Sequence, residues 1–193
     1  MARPQTFNPD NALTRAMELF WDKGYANTSL DELVTATGVS RQGLYKTFKN
    51  KRGLFLASLD KYYDTIGDLA LHLIEKPDAT TADIKAYFYR LRDLASSPEG
   101  KRGCMMANTP SDKAAFDREA AIKVERFRKR QQECFKRALF NSCNDVPRLS
   151  DSQAVKYSDF LTTQAQGIAL LARAGADPEV IKNSVEIALK VIQ

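Results

Sequence analysis

Apolar residues recur at helical spacing along most of the chain, and the polar punctuation between them divides it into helices. Leu13, Met17, Phe20 and Trp21 define one face of a first helix, with Ala12 and Ala16 allowing close approach on that side. Asn8 is placed to cap it and Pro9 sits in the tolerated first turn, while Gly24 ends it and Tyr25 packs back over its aromatic end. Thr28 or Ser29 caps a second helix, and Ser29 with Glu32 has the capping-box spacing. Leu30, Leu33 and Val34 form its core face. Ala36 keeps the following turn compact, and Gly38 takes a left-handed backbone at little cost. Val39 plugs the core, Ser40 caps a third helix, Leu44 points inward, and Phe48 closes this small unit.

A fourth helix is expected from Lys51 to about Ile74, with a stripe of Leu54, Phe55, Leu59, Tyr62, Ile66, Leu69 and Leu73. Its length makes it a mechanical connection between the first three helices and the rest. Thr80 or Thr81 caps a helix to about Ala95, and Ser97-Pro98-Glu99-Gly100 breaks the chain before a short apolar element, Gly103–Ala107. A long helix is expected from Asp112 to Phe140, carrying Phe116, Ala120, Val124, Phe127, Cys134, Phe135 and Leu139. Ser150 opens another, stopped near Gly175, and Pro178 opens the last, with Ile181, Val185, Leu189 and Ile192. These last two helices hold more apolar residues than one stripe, which suggests a four-helix seam across a two-fold axis between two copies; burial within one subunit is the alternative. The fold class is all-α, with an N-terminal three-helix domain at residues 1–50 and a larger helical domain at 51–193.

Charge changes the picture in one region. After Glu32 no acid appears until Asp60, while Arg41, Lys46, Lys49, Lys51 and Arg52 fall in that interval. Two short helices joined by a tight turn, with cations on and after the second, form a helix-turn-helix fit for the DNA major groove. Ser40 leaves Arg41, Gln42 and Gly43 in the first turns of the third helix, the end that approaches base edges. Arg41 can donate two hydrogen bonds to guanine, Gln42 can pair with adenine, and Gly43 leaves room for the backbone. Tyr45, Lys46, Lys49, Lys51 and Thr28 are candidate phosphate contacts, with Arg3 in the N-terminal tail as a further one. The bland alternative makes Arg41 and Gln42 ordinary exposed residues.

Composition mostly excludes. The 193 residues carry a net charge of +5 and 44% hydrophobic residues, enough for a substantial core. Cys104, Cys134 and Cys143 are too few for a disulfide-built fold and suit a reducing cytoplasm. A single histidine, His72, and no Cys-x-x-Cys spacing leave no metal site or cofactor motif to expect. No apolar run is long enough to span a bilayer, and no nucleotide loop or nucleophile triad is present, so an enzyme is not expected.

The segment Ala16–Phe55 resembles the N-terminal domain of the TetR/AcrR family of transcriptional regulators. The resemblance rests on Phe20, Gly24-Tyr25, Thr28-Ser29, Ala36, Gly38-Val39-Ser40, Gly43–Phe48 and Lys49-Asn50-Lys51, all in register. It departs at Lys46-Thr47, where the family often has His. The resemblance implies an all-helical homodimer that binds a double-stranded, palindromic operator, usually represses transcription and is released by a small molecule. It places Thr28, Arg41, Gln42, Gly43, Tyr45, Lys46 and Lys51 at the DNA, and makes 51–193 an effector-binding and dimerisation domain. Arg102–Asn108 is similar to a segment near the inner end of the effector cavity in one subgroup.

Candidate cavity residues are Tyr62, Ile66, Tyr87, Phe88, Leu91, Met105, Phe127, Phe160 and Gln164, since Met and aromatic side chains line adaptable apolar pockets. Each also suits an ordinary helical core. Cys104, next to Lys101 and Arg102, is a candidate redox or electrophile switch if those cations favour the thiolate; an inert cysteine is the alternative. The remaining rival is a helical interaction protein that does not bind DNA.

Overall fold

The computed structural model describes residues 8–111, 117–142 and 149–192, and every regular element among them is helical. Arg3, Phe116 and Cys143 lie outside the described residues, as does the expected start of the long helix at Asp112.

Helix α1 spans Pro9–Asn27, with the Asn8 side chain accepting from the Asp10 and Asn11 amides. Gly24 interrupts it with φ 80° and ψ 167°, so the last turn points elsewhere. The capping box of Ser29 and Glu32 opens α2, Leu30–Thr37, which stops where Gly38 takes the left-handed conformation. Ser40 accepts from the Gly43 amide and opens α3, Arg41–Phe48. Leu33 and Leu44 are buried between these helices, with Val39 filling the turn. Lys23 pairs with Glu32, and this bond with the Ser29 amide holds the Glu32 carboxyl down at about 2.

The step from α3 to α4, Lys51–Tyr62, is very tight. Lys49 has φ 69° and ψ −53°, and the Asn50 amide donates back to the Phe48 carbonyl at 2.8 Å, a γ-turn centred on a non-glycine residue. Asn50 caps α4 through the Gly53 amide at 2.9 Å. A β-carbon on Gly53 would stand 2.1 Å from the Phe48 carbonyl oxygen, so only glycine fits this junction. Phe20, Tyr25 and Phe55 pack together where α1 lies along α4.

The fourth helix does run to the expected end, but not regularly. Residues Tyr63–Gly67 form a wide turn of π-helix before α5, Asp68–Glu75. One extra residue in that turn rotates the apolar face. Leu71 and Ile74 are therefore fully buried, whereas Leu69, expected inside, is 57% exposed. The wide turn is matched by α8, Arg118–Asn141: Phe127 packs on Gly67, and Arg130 reaches Asp68, Glu75 and the Tyr63 carbonyl.

Thr80, with Asp83 in a capping box, opens α6, Thr81–Ala95. A tight turn over Glu99–Arg102 and the one-turn α7, Met105–Asn108, follow. Asp117 caps α8. Ser150 with Gln153 caps α9, Asp151–Arg173, and Asp177 caps α10, Pro178–Lys190. Helices α5, α6, α8 and α9 surround the larger part of a core that continues along α4 into the first three helices, with α10 packed against α6 and α9.

Candidate nucleic-acid interface and the cavity behind it

The reading face follows from the caps of α2 and α3. With Ser40 fixing the start of α3, Leu44 is 1% exposed and Phe48 packs against the core, so Arg41, Gln42, Lys46 and Tyr45 project outward. Arg41 reaches Asp31 of α2 at 3.1 Å, and both side chains are largely exposed. Such a pair in water contributes little and is readily exchanged for another partner. Gly43 is half-buried, and its amide is occupied by the Ser40 hydroxyl at 3.2 Å.

Two expected contacts sit differently from their neighbours. Thr28 is 1% exposed and its hydroxyl donates to the Gly24 carbonyl at 2.7 Å, so its side chain braces the α1–α2 corner in this conformation rather than offering a free phosphate donor. Ser29, not Thr28, provides the cap. Lys51 is half-buried with its ammonium 4.4 Å over the Tyr25 ring, an arrangement that restricts its reach while keeping its charge.

Behind this unit lies a cavity of about 240 Å³. Tyr62, Ile66, Tyr87, Leu91 and Phe127 line it, as expected from their spacing. Phe88, Met105, Phe160 and Gln164 do not. Phe88 points to the neighbouring side of α6 and stacks on Phe135 at 5.8 Å. Met105 instead borders a smaller cavity of about 180 Å³ on the α1 side. Phe160 packs against the core, and further along α9 it is Gln166, with Ala165, Ala169 and Ala172, that lines the main cavity. Sequence reasoning missed Trp21 and Gln131 in the wall, whereas Arg102 and Gly103 line it from the segment that the resemblance set near the cavity. The excess of small residues on α9 was the signal for the alanine wall; nothing in the local pattern marked Trp21.

Cys104 borders the same cavity and is half-buried. The Tyr62 hydroxyl donates to its sulfur at 3.4 Å, yet burial dominates and pushes the thiol above its ordinary range. The adjacent Arg102 guanidinium is engaged with Asp22 and lies 4.2 Å over the Trp21 ring. The thiolate-favouring setting expected from Lys101 and Arg102 is therefore not what surrounds this sulfur. Cys134, buried on α8, is likewise pushed up to about 11 by burial.

Among the described residues no grouping of His, Cys, Asp and Glu could hold a metal, and no helix is long and apolar enough to cross a membrane.

Residues 12–58 match the family model described as bacterial regulatory proteins, tetR family. The chain is 31% identical over 195 residues to the HTH-type transcriptional repressor ComR of Escherichia coli, covering 98% of this chain and 90% of that one. It is 27% identical over 194 residues, and over the full length of both chains, to the uncharacterized HTH-type transcriptional regulator YezE of Bacillus subtilis. A cysteine-substituted form of the TetR-family regulator CifR, solved with a 26-base-pair operator duplex, shares the fold with TM-score 0.83 at 24% identity, over 97% of this chain and 98% of that one. With the helix-turn-helix in place, its reading turn exposed and a relative of this similarity matched end to end, the chain belongs to the TetR family of DNA-binding transcriptional regulators.

Proposed function

We propose that the protein is a ligand-responsive repressor that binds a palindromic operator as a homodimer and leaves it when a small molecule occupies the cavity. Residues 1–50 form the DNA-binding domain, and residues 51–193 the effector-binding and dimerisation domain. The observation that carries this reading is the exposed first turn of α3, where Arg41 and Gln42 project while Leu44 is buried beneath them. Arg41 and Gln42 read base edges, and Tyr45, Lys46 and Lys51 hold phosphates, supplying affinity that falls with salt. Gly43 admits the backbone to the groove, and Thr28 sets the corner from which α2 approaches the duplex. Repression, rather than activation, is supported by the similarity to the Escherichia coli repressor ComR.

Dimerisation is assigned to α9 and α10. Leu170, Leu171, Val180 and Ile187 are exposed on these two helices, and Val191 just beyond α10, an apolar group that a partner's matching face would cover. Gly167 has open space where a β-carbon would stand, which allows a partner helix close approach. Two-fold symmetry then sets two half-sites about 34–36 Å apart or a multiple of that.

Selection from a randomised duplex pool, using the purified protein at low salt, tests the function. A two-fold symmetric consensus is expected. Recovery of unselected sequence would leave a helical interaction protein as the better reading.

A further inference from the structure

Trp21 belongs to α1 of the DNA-binding unit, yet its ring lines the main cavity. It is the only tryptophan in the chain. Its ring meets Tyr62 edge-on with centroids 5.1 Å apart, its Nε1 donates to the Gly103 carbonyl at 3.1 Å, and Arg102 lies over its face. Trp21 also borders the smaller cavity, together with Phe20, Gly24 and Tyr25, so it stands between the main cavity and the end of α1.

The backbone that carries Trp21 is clamped by two arginines. Arg173, at the last turn of α9, donates to the Trp21 carbonyl at 2.9 Å, to the Asp22 carbonyl at 2.8 Å and to the Arg102 carbonyl at 3.0 Å. Arg102 pairs with Asp22 and donates to the Glu18 carbonyl at 2.9 Å. Gly103 cannot retreat, since even a β-carbon there would stand 2.7 Å from the Ala169 carbonyl oxygen. Three residues beyond Trp21, α1 breaks at Gly24, and the Thr28 hydroxyl joins that break to the start of α2. A continuous set of bonds thus runs from the cavity wall to the helix-turn-helix.

The wall also limits what can enter. Its surface is mainly aromatic and aliphatic, and its charged members are engaged: Arg102 as above, Glu99 by hydrogen bonds from Ser97 and its own backbone. Gln131 is 3% exposed; its Nε2 donates to the Tyr87 hydroxyl at 2.8 Å and its Oε1 has no partner among the described residues. Turning the amide over leaves the opposite atom unpartnered, so either orientation offers one polar group for a guest to satisfy. A shallower depression of about 110 Å³ shares Ile66, Ala70 and Leu94 with the cavity and marks a route in between α5 and α6.

We infer that the effector is a small, neutral, largely apolar molecule with one hydrogen-bonding group, and that it acts on DNA binding by displacing Trp21 against the Arg102–Arg173 clamp. This rests on the proposed ligand-released repressor. Bias toward the DNA-free arrangement arises because the guest binds more tightly when Trp21, and with it the end of α1, has shifted.

The test uses para-propylphenol, with propylbenzene and para-propylbenzoate as matched compounds, on the full chain and on the operator recovered from the duplex pool. Emission of the sole tryptophan reports occupancy. The phenol is expected to change it saturably, with the hydrocarbon binding several-fold and the benzoate at least tenfold more weakly. In the parent protein the phenol weakens operator binding at least tenfold. In Arg173→Met, phenol binding stays within about twofold and operator binding persists without phenol, but its loss on adding phenol shrinks below threefold. Arg173→Lys, which retains a donor, gives an intermediate loss and serves for the comparison if the Met variant does not fold. Unchanged tryptophan emission with the phenol, preference for the benzoate, or an Arg173 variant released as fully as the parent overturns the inference. Failure to bind any duplex before phenol is added would instead overturn the function beneath it; operator binding that survives phenol saturation overturns this inference alone.

Discussion

Lys49 shows how a single residue serves two demands. Its backbone holds φ 69° in the γ-turn that joins α3 to α4, a conformation non-glycine residues avoid, while its side chain stands exposed beside Lys46. A lysine retained at a position glycine would fill more comfortably is explained by its charge. Lys49→Gly is expected to raise stability by about 1 kcal/mol and to lower operator affinity, with a salt dependence reduced by about one phosphate contact. Thermal melting and titrations at several salt concentrations check both halves; a variant that loses stability, or keeps its salt dependence, contradicts the reading. Residue-scale chemistry was largely legible where it depends on a local rule. Asn8, Ser29, Glu32, Gly38 and Ser40 occupy their expected caps and turns because capping needs only neighbouring backbone amides. The burial of Thr28 was not legible in the same way, because it is decided by the corner of α1 and not by its own sequence neighbours.

Between elements, the junction of α3 with α4 is tightly specified. Gly53→Ala forces a β-carbon against the Phe48 carbonyl, and backbone cannot yield as a flexible side chain can. A loss of about 1–3 kcal/mol is expected, accompanied by weaker operator binding because α3 must tilt; chemical denaturation and operator titration measure both, and unchanged values in each would show that the junction is slack. The wide turn at Tyr63–Gly67 shows where helical periodicity runs out. A strict stripe predicts Leu69 inside, but one additional residue in the turn brings Leu71 and Ile74 inward instead. That turn depends on Phe127 and Arg130 of α8, more than sixty positions away, so a window read along α4 alone carries no sign of it. Cavity residues divide the same way. Tyr87 and Phe88 are adjacent and both aromatic, and the packing of α8 leaves Tyr87 in the cavity wall while Phe88 stacks on Phe135.

At the scale of the whole molecule, one continuous core runs from the first three helices through α4 into the larger helical region, and the Arg102–Arg173 clamp ties the reading head to that region a second time. The all-helical architecture and its helix-turn-helix were readable from spacing and charge; the second tie was not, since it pairs residues separated by about 150 positions. The proposed dimer surface on α9 and α10 makes a separate prediction. Ile187, in the last turn of α10, is 59% exposed, and Ile187→Arg places a charge in the seam. Dimerisation is expected to weaken at least tenfold, about 1.4 kcal/mol, with a parallel loss on a two-half-site operator. Sedimentation across a concentration series checks the association, and an unchanged dimer would move the interface elsewhere.

The most direct measurement compares Arg41→Ala and Lys51→Ala on the selected operator and on its single-base variants. Base reading by α3 predicts that Arg41→Ala loses about 1–3 kcal/mol of discrimination at one base pair of each half-site and is nearly indifferent to the base there, whereas Lys51→Ala weakens all duplexes alike. Equal losses for Arg41→Ala on every duplex, operator and scrambled, would contradict it.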